Sequence, residues 1–259
     1  MPNYHNNTYN SMKSCFQMRE NKISAGSYDL NKFLFGGYET DIITTIYGPG
    51  GSGKTNLCLI VAVSQAKKGN KVIYIDTEGG FSIDRVKQIA GEEHEKVLQN
   101  ILLLKPTSFQ EQEESFIELN KQVRKGDVSL IIIDSIAMLY RLELGDAIKQ
   151  GEREIKEINR MLASQLRELN EIARKQQIPI IITNQVYTEF LSDEDFQKGK
   201  EKSVAMVGGD LLKYWSKCIL ELKNQRNKRT LVIKKHRSLP EKEMDFDIIN
   251  QGIRRKGWI

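Results

Sequence analysis

Residues 48–55 read GPGGSGKT, glycines and one serine leading into a lysine and a threonine. A stretch of that kind bends tightly and leaves backbone N–H groups free to wrap phosphate oxygens, and a helix starting at its end adds a favourable dipole. The spacing fits G-x-x-x-x-G-K-[ST]. On that pattern Gly48, Pro49, Gly50, Gly51, Ser52 and Gly53 form the cradle, Lys54 contacts the β- and γ-phosphates of ATP, and the Thr55 hydroxyl ligates Mg²⁺. Asp134 closes the apolar run LIIID (130–134), the place where open α/β sheets put ligand-facing residues. It fits the acid that orients Mg²⁺ through water, or more plainly a cap on the segment that follows. YIDTEGGF (74–81) ends another apolar run in Asp76 and Glu78. A carboxylate there positions and polarises the water that attacks a γ-phosphate, and phosphoryl transfer gains chiefly from such positioning. Glu78 is the better placed; Asp76 is its competitor, for Mg²⁺ or for the strand end. ITNQV (182–186) ends a further run in two amides. Gln185 there reports on the γ-phosphate, or else satisfies loop backbone.

These residues need a sheet to hold them. Apolar, β-branched runs recur at 41–47, 71–76, 100–105, 130–134 and 178–184, with amphipathic helical stretches at 54–68, 82–91, 108–124 and 152–176. In the last, Ile155, Ile158, Met161, Leu162, Leu166, Leu169 and Ile172 follow the stripe of a core-facing helix. Alternation at this spacing predicts an α/β fold with a mostly parallel sheet covered on both faces. From 216 onward the pattern turns to strands joined by turns, predicting antiparallel strands at the end of the sheet. Residues 1–22 are Asn-rich and aperiodic, an N-terminal arm outside the domain at 23–259.

Composition narrows the classes. A chain of 259 residues with 39% hydrophobic and 28% charged content has the material for one α/β domain. It contains no run of about 18 apolar residues and no signal-peptide plan, so no membrane is expected. Cys15, Cys58 and Cys218 form no CxxC pair and do not cluster with His5, His94 and His236, which suits a reducing cytoplasm and argues against structural zinc. The formal charge is +5, and the run from Lys223 to Arg237 holds seven Lys or Arg and no acid. Arg226, Lys228, Arg229, Lys234, Lys235, His236 and Arg237 therefore read as a patch for an anionic partner, nucleic acid first, against the plainer reading of a lysine-protected sheet edge.

In order and spacing, GPGGSGKT, YIDTEGGFSIDR, LIIIDSIAMLYR and ITNQV resemble the RecA-type recombinase ATPases of archaea and eukaryotes. KISAGSYDLNKFLFGGYETDIITTIYG resembles the approach to their core, and DTEGGFS with KHRSLPE resembles a short archaeal branch of the family. The likeness covers about 23–259. It implies a RecA-like P-loop core with ATP and Mg²⁺ as cofactors. Lys54 and Thr55 fall on the phosphate and Mg²⁺ positions, Glu78 on the catalytic glutamate, Asp134 on the Walker B aspartate, and Gln185 on the glutamine linking ATP state to the second DNA loop. Arg85 matches an arginine that lies against adenine, or is an exposed first-turn helix arginine. Arg141 matches the basic residue that opens the first DNA-facing loop, or pairs with Glu143. The C-terminal basic strands lie where relatives cover a nucleotide at a subunit edge, so they face either an adjacent ATP or DNA.

Two departures shape the expected function. About 22 residues precede the core, and CFQMRE offers Phe16 followed by Met18 and Arg19 rather than the F-x-x-A docking motif of full recombinases. The second DNA loop opens on Glu189, Asp193, Glu194 and Asp195, which repel phosphates unless Lys198, Lys200 and Lys202 answer them. The resemblance thus points to a cytoplasmic, nucleoid-associated accessory ATPase of recombination and repair with weak turnover. Expected partners are DNA, single strands preferred, a RadA-type recombinase and a second copy in a homodimer. An active strand-exchange filament and a RecA-core assembly ATPase that binds protein are the rival readings.

Overall fold

The computed structural model describes residues 21–188, 204–206, 208–225 and 228–257. In chain order the elements are β1 (Lys22–Ile23), α1 (Tyr28–Phe33), β2 (Tyr38–Glu39), β3 (Ile43–Gly48), α2 (Lys54–Lys67), β4 (Lys71–Asp76), α3 (Ile83–Ala90), α4 (His94–Gln99), β5 (Ile101–Leu104) and α5 (Phe109–Val123). They continue with β6 (Val128–Asp134), α6 (Met138–Gln150), α7 (Glu152–Gln176), β7 (Ile180–Thr188), β8 (Val204–Met206), α8 (Gly209–Trp215), β9 (Cys218–Gln225), β10 (Lys228–Lys235), β11 (Lys242–Ile249) and β12 (Gly252–Arg255).

The main sheet runs β12-β11-β10-β9-β3-β7-β6-β4-β5, with β8 paired to β7 off that path. Every pair from β9 to β5 is parallel, and β9 to β12 pair antiparallel. The five expected parallel strands and four expected helices all form, and the C-terminal strands extend the sheet as anticipated. Helices α1, α4, α6 and α8 carry no stripe that the sequence pattern singled out.

Strand alternation explains how the sheet is covered. In β6, Leu130 and Ile132 enter the core that holds α2, whereas Ile131 and Ile133 enter the core that holds α5 and α7. In β4, Val72 and Tyr74 face the first core, and Ile73 and Ile75 the second. Both faces are apolar because both are covered, the pattern of parallel sheets. The same parity puts Asp76 and Asp134, partners in register, on the α2 side at the strand ends. Helix α7 behaves as its stripe predicts in its second half, where Leu162, Leu166, Leu169 and Ile172 are buried, while Ile155 is only half-buried. No helix among the described residues is long and apolar enough to cross a membrane.

Candidate phosphate and nucleotide site

Strand β3 is held in register by β7 on one side and β9 on the other, so the loop leaving it starts from a fixed point. Gly48 is required there: a Cβ at this position would lie 2.4 Å from the Leu222 carbonyl oxygen. Gly53, at φ 109°, caps α2 without a side-chain acceptor, leaving the first-turn N–H groups of the helix directed out of its end. Ser52 is fully buried, and its hydroxyl has no hydrogen-bond partner. Lys54 is buried to 6% exposure and donates to the carbonyls of Gly48 (3.0 Å) and Pro49 (3.1 Å). Burial lowers its pKa, with Glu78 and then Asp134 pulling the other way. A glycine-lined bend, orphan donors at a helix start, a buried hydroxyl without a partner and a buried lysine together fit a polyphosphate.

The two carboxylates at the end of β4 have different work. Asp76 is 2% exposed and accepts from the N–H groups of Gly80 (3.0 Å) and Phe81 (2.9 Å). It ties down the loop rather than facing the site. Glu78 is half-buried, and its Oε1 accepts from Gln185 Nε2 at 3.0 Å. Asp134, fully buried, accepts from the Thr183 hydroxyl (2.5 Å) and the Tyr74 hydroxyl (2.9 Å). Burial, with Asp134 beside it, pushes the Tyr74 phenol up, so that it stays the donor. Thr77 completes the floor: its hydroxyl donates to the Ser135 carbonyl (2.7 Å) and accepts from the Ser135 N–H (2.8 Å). The loop-backbone alternative for Gln185 is not what forms; its amide meets Glu78. Tyr74, Thr183 and Thr77 were not singled out from the sequence, although the alternation of KVIYID already puts Tyr74 on the same face as Asp76.

Arg85 takes a structural position on α3. Its guanidinium donates to Asn56 Oδ1 (2.8 Å), Gln88 Oε1 (2.8 Å) and the carbonyls of Ile249 (2.8 Å), Asn250 (3.1 Å) and Gly252 (3.3 Å). It is not the solvated first-turn arginine of the plainer reading: it fastens the turn between β11 and β12 to α3. Arg141 lies on the exposed side of α6 rather than on a loop, and it makes no ion pair with Glu143. With Ser135, Met138, Leu142, Asn184 and Gln185 it lines a cavity of about 320 Å³.

The basic run does not form a free patch. Lys228 pairs with Asp245 (2.8 Å), Lys234 with Glu241, and Arg237 forks onto Asp41 (2.7 and 2.8 Å) while reaching Glu39 (3.1 Å). Lys235 donates to the Lys213 carbonyl (2.7 Å). The His236 side chain is 2% exposed, and its Nδ1 accepts from the N–H groups of Ser238 and Leu239 (3.1 Å each), which leaves Nε2 facing Glu39 at 3.7 Å. Expecting His236 and Arg237 to present themselves to DNA or to an adjacent ATP is therefore corrected: both hold the turn after β10. The plainer reading of an edge strand is corrected too, since β10 lies between β9 and β11. The acids that answer the run lie outside it, Asp245 on β11, Glu241 just before β11, and Glu39 and Asp41 near the start of the domain, invisible in its own sequence. Among the described residues Arg229 makes no ion pair, and its Nε is buried without a hydrogen-bond partner. Arg226 and the acidic and basic positions at 189–202 lie outside the described residues.

A strand-borne phosphate loop, an acid ending the next strand but one, a carboxylate–amide pair between β4 and β7, and antiparallel strands closing one end define the RecA-like class of P-loop proteins. A sequence model of the Rad51 family matches residues 18–256. The DNA repair and recombination protein RadB of Methanobrevibacter smithii is 40% identical over 247 residues, spanning 93% of this chain and all of that relative. The RadB proteins of Methanocaldococcus jannaschii (40% over 224 residues, 86% of this chain and 98% of the relative) and Methanococcoides burtonii (41% over 227 residues, 87% and 94%) are similarly close. The chain belongs to the Rad51 family and, within it, groups with the RadB DNA repair and recombination proteins.

Proposed function

We propose that the protein is an ATP- and DNA-binding accessory factor of homologous recombination, working in the cytoplasm beside a RadA-type recombinase and turning ATP over slowly. The observation that carries this reading is the 3.0 Å hydrogen bond from Gln185 to Glu78. Glu78 stands where a water-positioning base is needed, and Gln185 belongs to β7, the strand that runs on to residues 189–203. A change in what Glu78 faces is thereby passed to the segment that the family resemblance makes a DNA loop, and Arg141 lines a cavity with the same glutamine.

Within this reading the N–H groups of 50–55 and Lys54 hold the phosphates, and Lys54 exchanges the Gly48 and Pro49 carbonyls for them. The Thr55 hydroxyl and, through water, Asp134 hold Mg²⁺, whose charge offsets that of the phosphates. Tyr74 and Thr183 fix the Asp134 carboxylate in the orientation such a role needs. Glu78 would position the attacking water and take its proton, with its Oε1 held by the Gln185 amide. Single-stranded DNA is the preferred nucleic-acid partner of this reading, and a homodimer is the preferred assembly.

The test combines turnover and assembly. Lys54→Ala should abolish ATP binding, whereas Glu78→Gln should bind ATP like wild type and lose hydrolysis. Gln185→Ala should keep ATP binding and lose the effect of ATP on DNA affinity. Light scattering with single-stranded DNA and a non-hydrolysable ATP analogue should show small discrete complexes. Long filaments would replace this reading with a strand-exchange enzyme, and no DNA complex at low salt would refute it.

A further inference from the structure

Outside the nucleotide site, α1 exposes an aromatic and basic surface. Tyr28 and Lys32 lie one turn apart, and Phe35 follows in the turn that closes the helix; Tyr28 is 79% and Phe35 69% exposed. Phe35 adopts φ 55° ahead of Gly36 and Gly37, both also at positive φ, a conformation that bulky residues rarely take. The turn is braced from beneath: Lys22 Nζ donates to the carbonyls of Leu34 (3.2 Å) and Phe35 (3.0 Å), and Lys242 Nζ lies 4.7 Å from the centre of the Phe35 ring. At the other end the Arg255 N–H donates to Asp29 Oδ2 (2.7 Å), which brings exposed Arg255 to the start of the helix; Arg254, opposite Asp247 in the strand pair, faces the other side of the sheet. None of Lys22, Lys32, Lys242 and Arg255 makes an ion pair among the described residues. The nearby acids are engaged, Asp29 by that N–H and Glu39 and Asp41 by Arg237. This is the reverse of the outer face of β9 to β11, where cations and acids pair.

We propose that this α1 surface is a contact site for single-stranded nucleic acid, with bases stacking on Phe35 and Tyr28 and phosphates taken by the flanking lysines and Arg255. Aromatic rings beside unpaired cations are the general means of holding single strands without reading their sequence. The two rings are separated by roughly 10 Å along the chain direction of the helix, a span of two or three nucleotides. The inference rests on the DNA-binding reading above and adds to it a surface that neither the phosphate loop nor residues 189–203 supply.

The test is fluorescence anisotropy of a labelled oligothymidylate at low salt with the full chain, its Phe35→Gly variant and its Tyr28→Ala variant. Each variant should bind at least about fivefold more weakly and keep wild-type ATP affinity. Phe35→Gly should melt no lower than wild type, because glycine takes the positive φ without strain. Variants that bind the oligonucleotide like wild type overturn the proposal. So does a Phe35→Gly variant that loses melting temperature together with affinity, which would make the ring part of the chain's own packing. Loss of binding to a purified RadA-type recombinase with oligonucleotide affinity intact also overturns it, in favour of a protein surface. Failure of the wild type to bind would defeat the broader DNA-binding reading as well, which separates the two failures.

Discussion

Asp76→Ala tests the division of labour between the two carboxylates of the β4 loop. Asp76 is 2% exposed and accepts two backbone N–H groups, from Gly80 at 3.0 Å and Phe81 at 2.9 Å. A hydrogen bond to a charged acceptor contributes about 1.5–3 kcal/mol. Gly80 is exposed and Phe81 half-buried, so water replaces part of that loss, and a net cost of about 2–4 kcal/mol remains. In a chain of this size each kcal/mol moves the melting temperature by about 2–4 °C, so the variant should melt roughly 5–15 °C lower. Asp76→Asn keeps one carbonyl acceptor and should lose about half as much. Glu78→Gln should melt like wild type, because the acid it removes is only half-buried and its partner amide has access to water. Circular dichroism melts of the three variants, run beside ATP turnover, give the comparison. An Asp76→Ala protein melting within about 2 °C of wild type, or a Glu78→Gln protein falling as far, would refute the assignment of Asp76 to the loop and Glu78 to the site.

Arg237→Ala should lower stability by about 1–3 kcal/mol in urea unfolding, since it leaves the buried Glu39 without its closest cation; oligonucleotide affinity should stay within about twofold. Arg237 also holds the Asp41 carboxyl below its ordinary range, chiefly through their hydrogen bond. That contribution is present above the unfolded carboxylate pKa of about 4 and is lost as pH falls through the lower folded value. The stability gap between wild type and Asp41→Asn should therefore close in strong acid. Burial lowers the His236 pKa despite Glu39 nearby, so the folded chain resists its protonation. Stability should fall as pH drops below about 6.5, and His236→Asn should flatten that part of the pH–stability curve.

Much of this architecture is legible in the chain because the signals are local. GPGGSGKT after a strand, and apolar runs ending in Asp134 and Gln185, state their own positions. Helix α7 is readable from its stripe, whereas α6, with Leu139, Tyr140 and Ala147 buried and Gly145 within it, has too little periodicity to stand out. The roles of Asp76 and the basic run were not legible for a different reason. Asp76 is distinguished from Glu78 only by where the N–H groups of residues 80 and 81 turn, and the lysines of β10 are answered by Glu241 and Asp245 across a sheet. Charge counted along a chain misses charge arranged across strands.

The bonds from Arg85 to the carbonyls of residues 249, 250 and 252 join positions 164 to 167 apart. Ile248 likewise comes within 3.3 Å of where a Cβ on Gly53 would sit. The wall beside the phosphate loop is therefore supplied by residues made some two hundred positions after the loop itself. During synthesis the loop, the parallel strands and most of both cores emerge well before it, and contacts across so long a span form late in folding. The nascent chain consequently acquires a finished wall beside the phosphate loop only when the β11–β12 hairpin has emerged and docked. A mutation weakening the turn at 249–252 would then act first on the yield of competent protein during growth, and only secondarily on the affinity of molecules already folded.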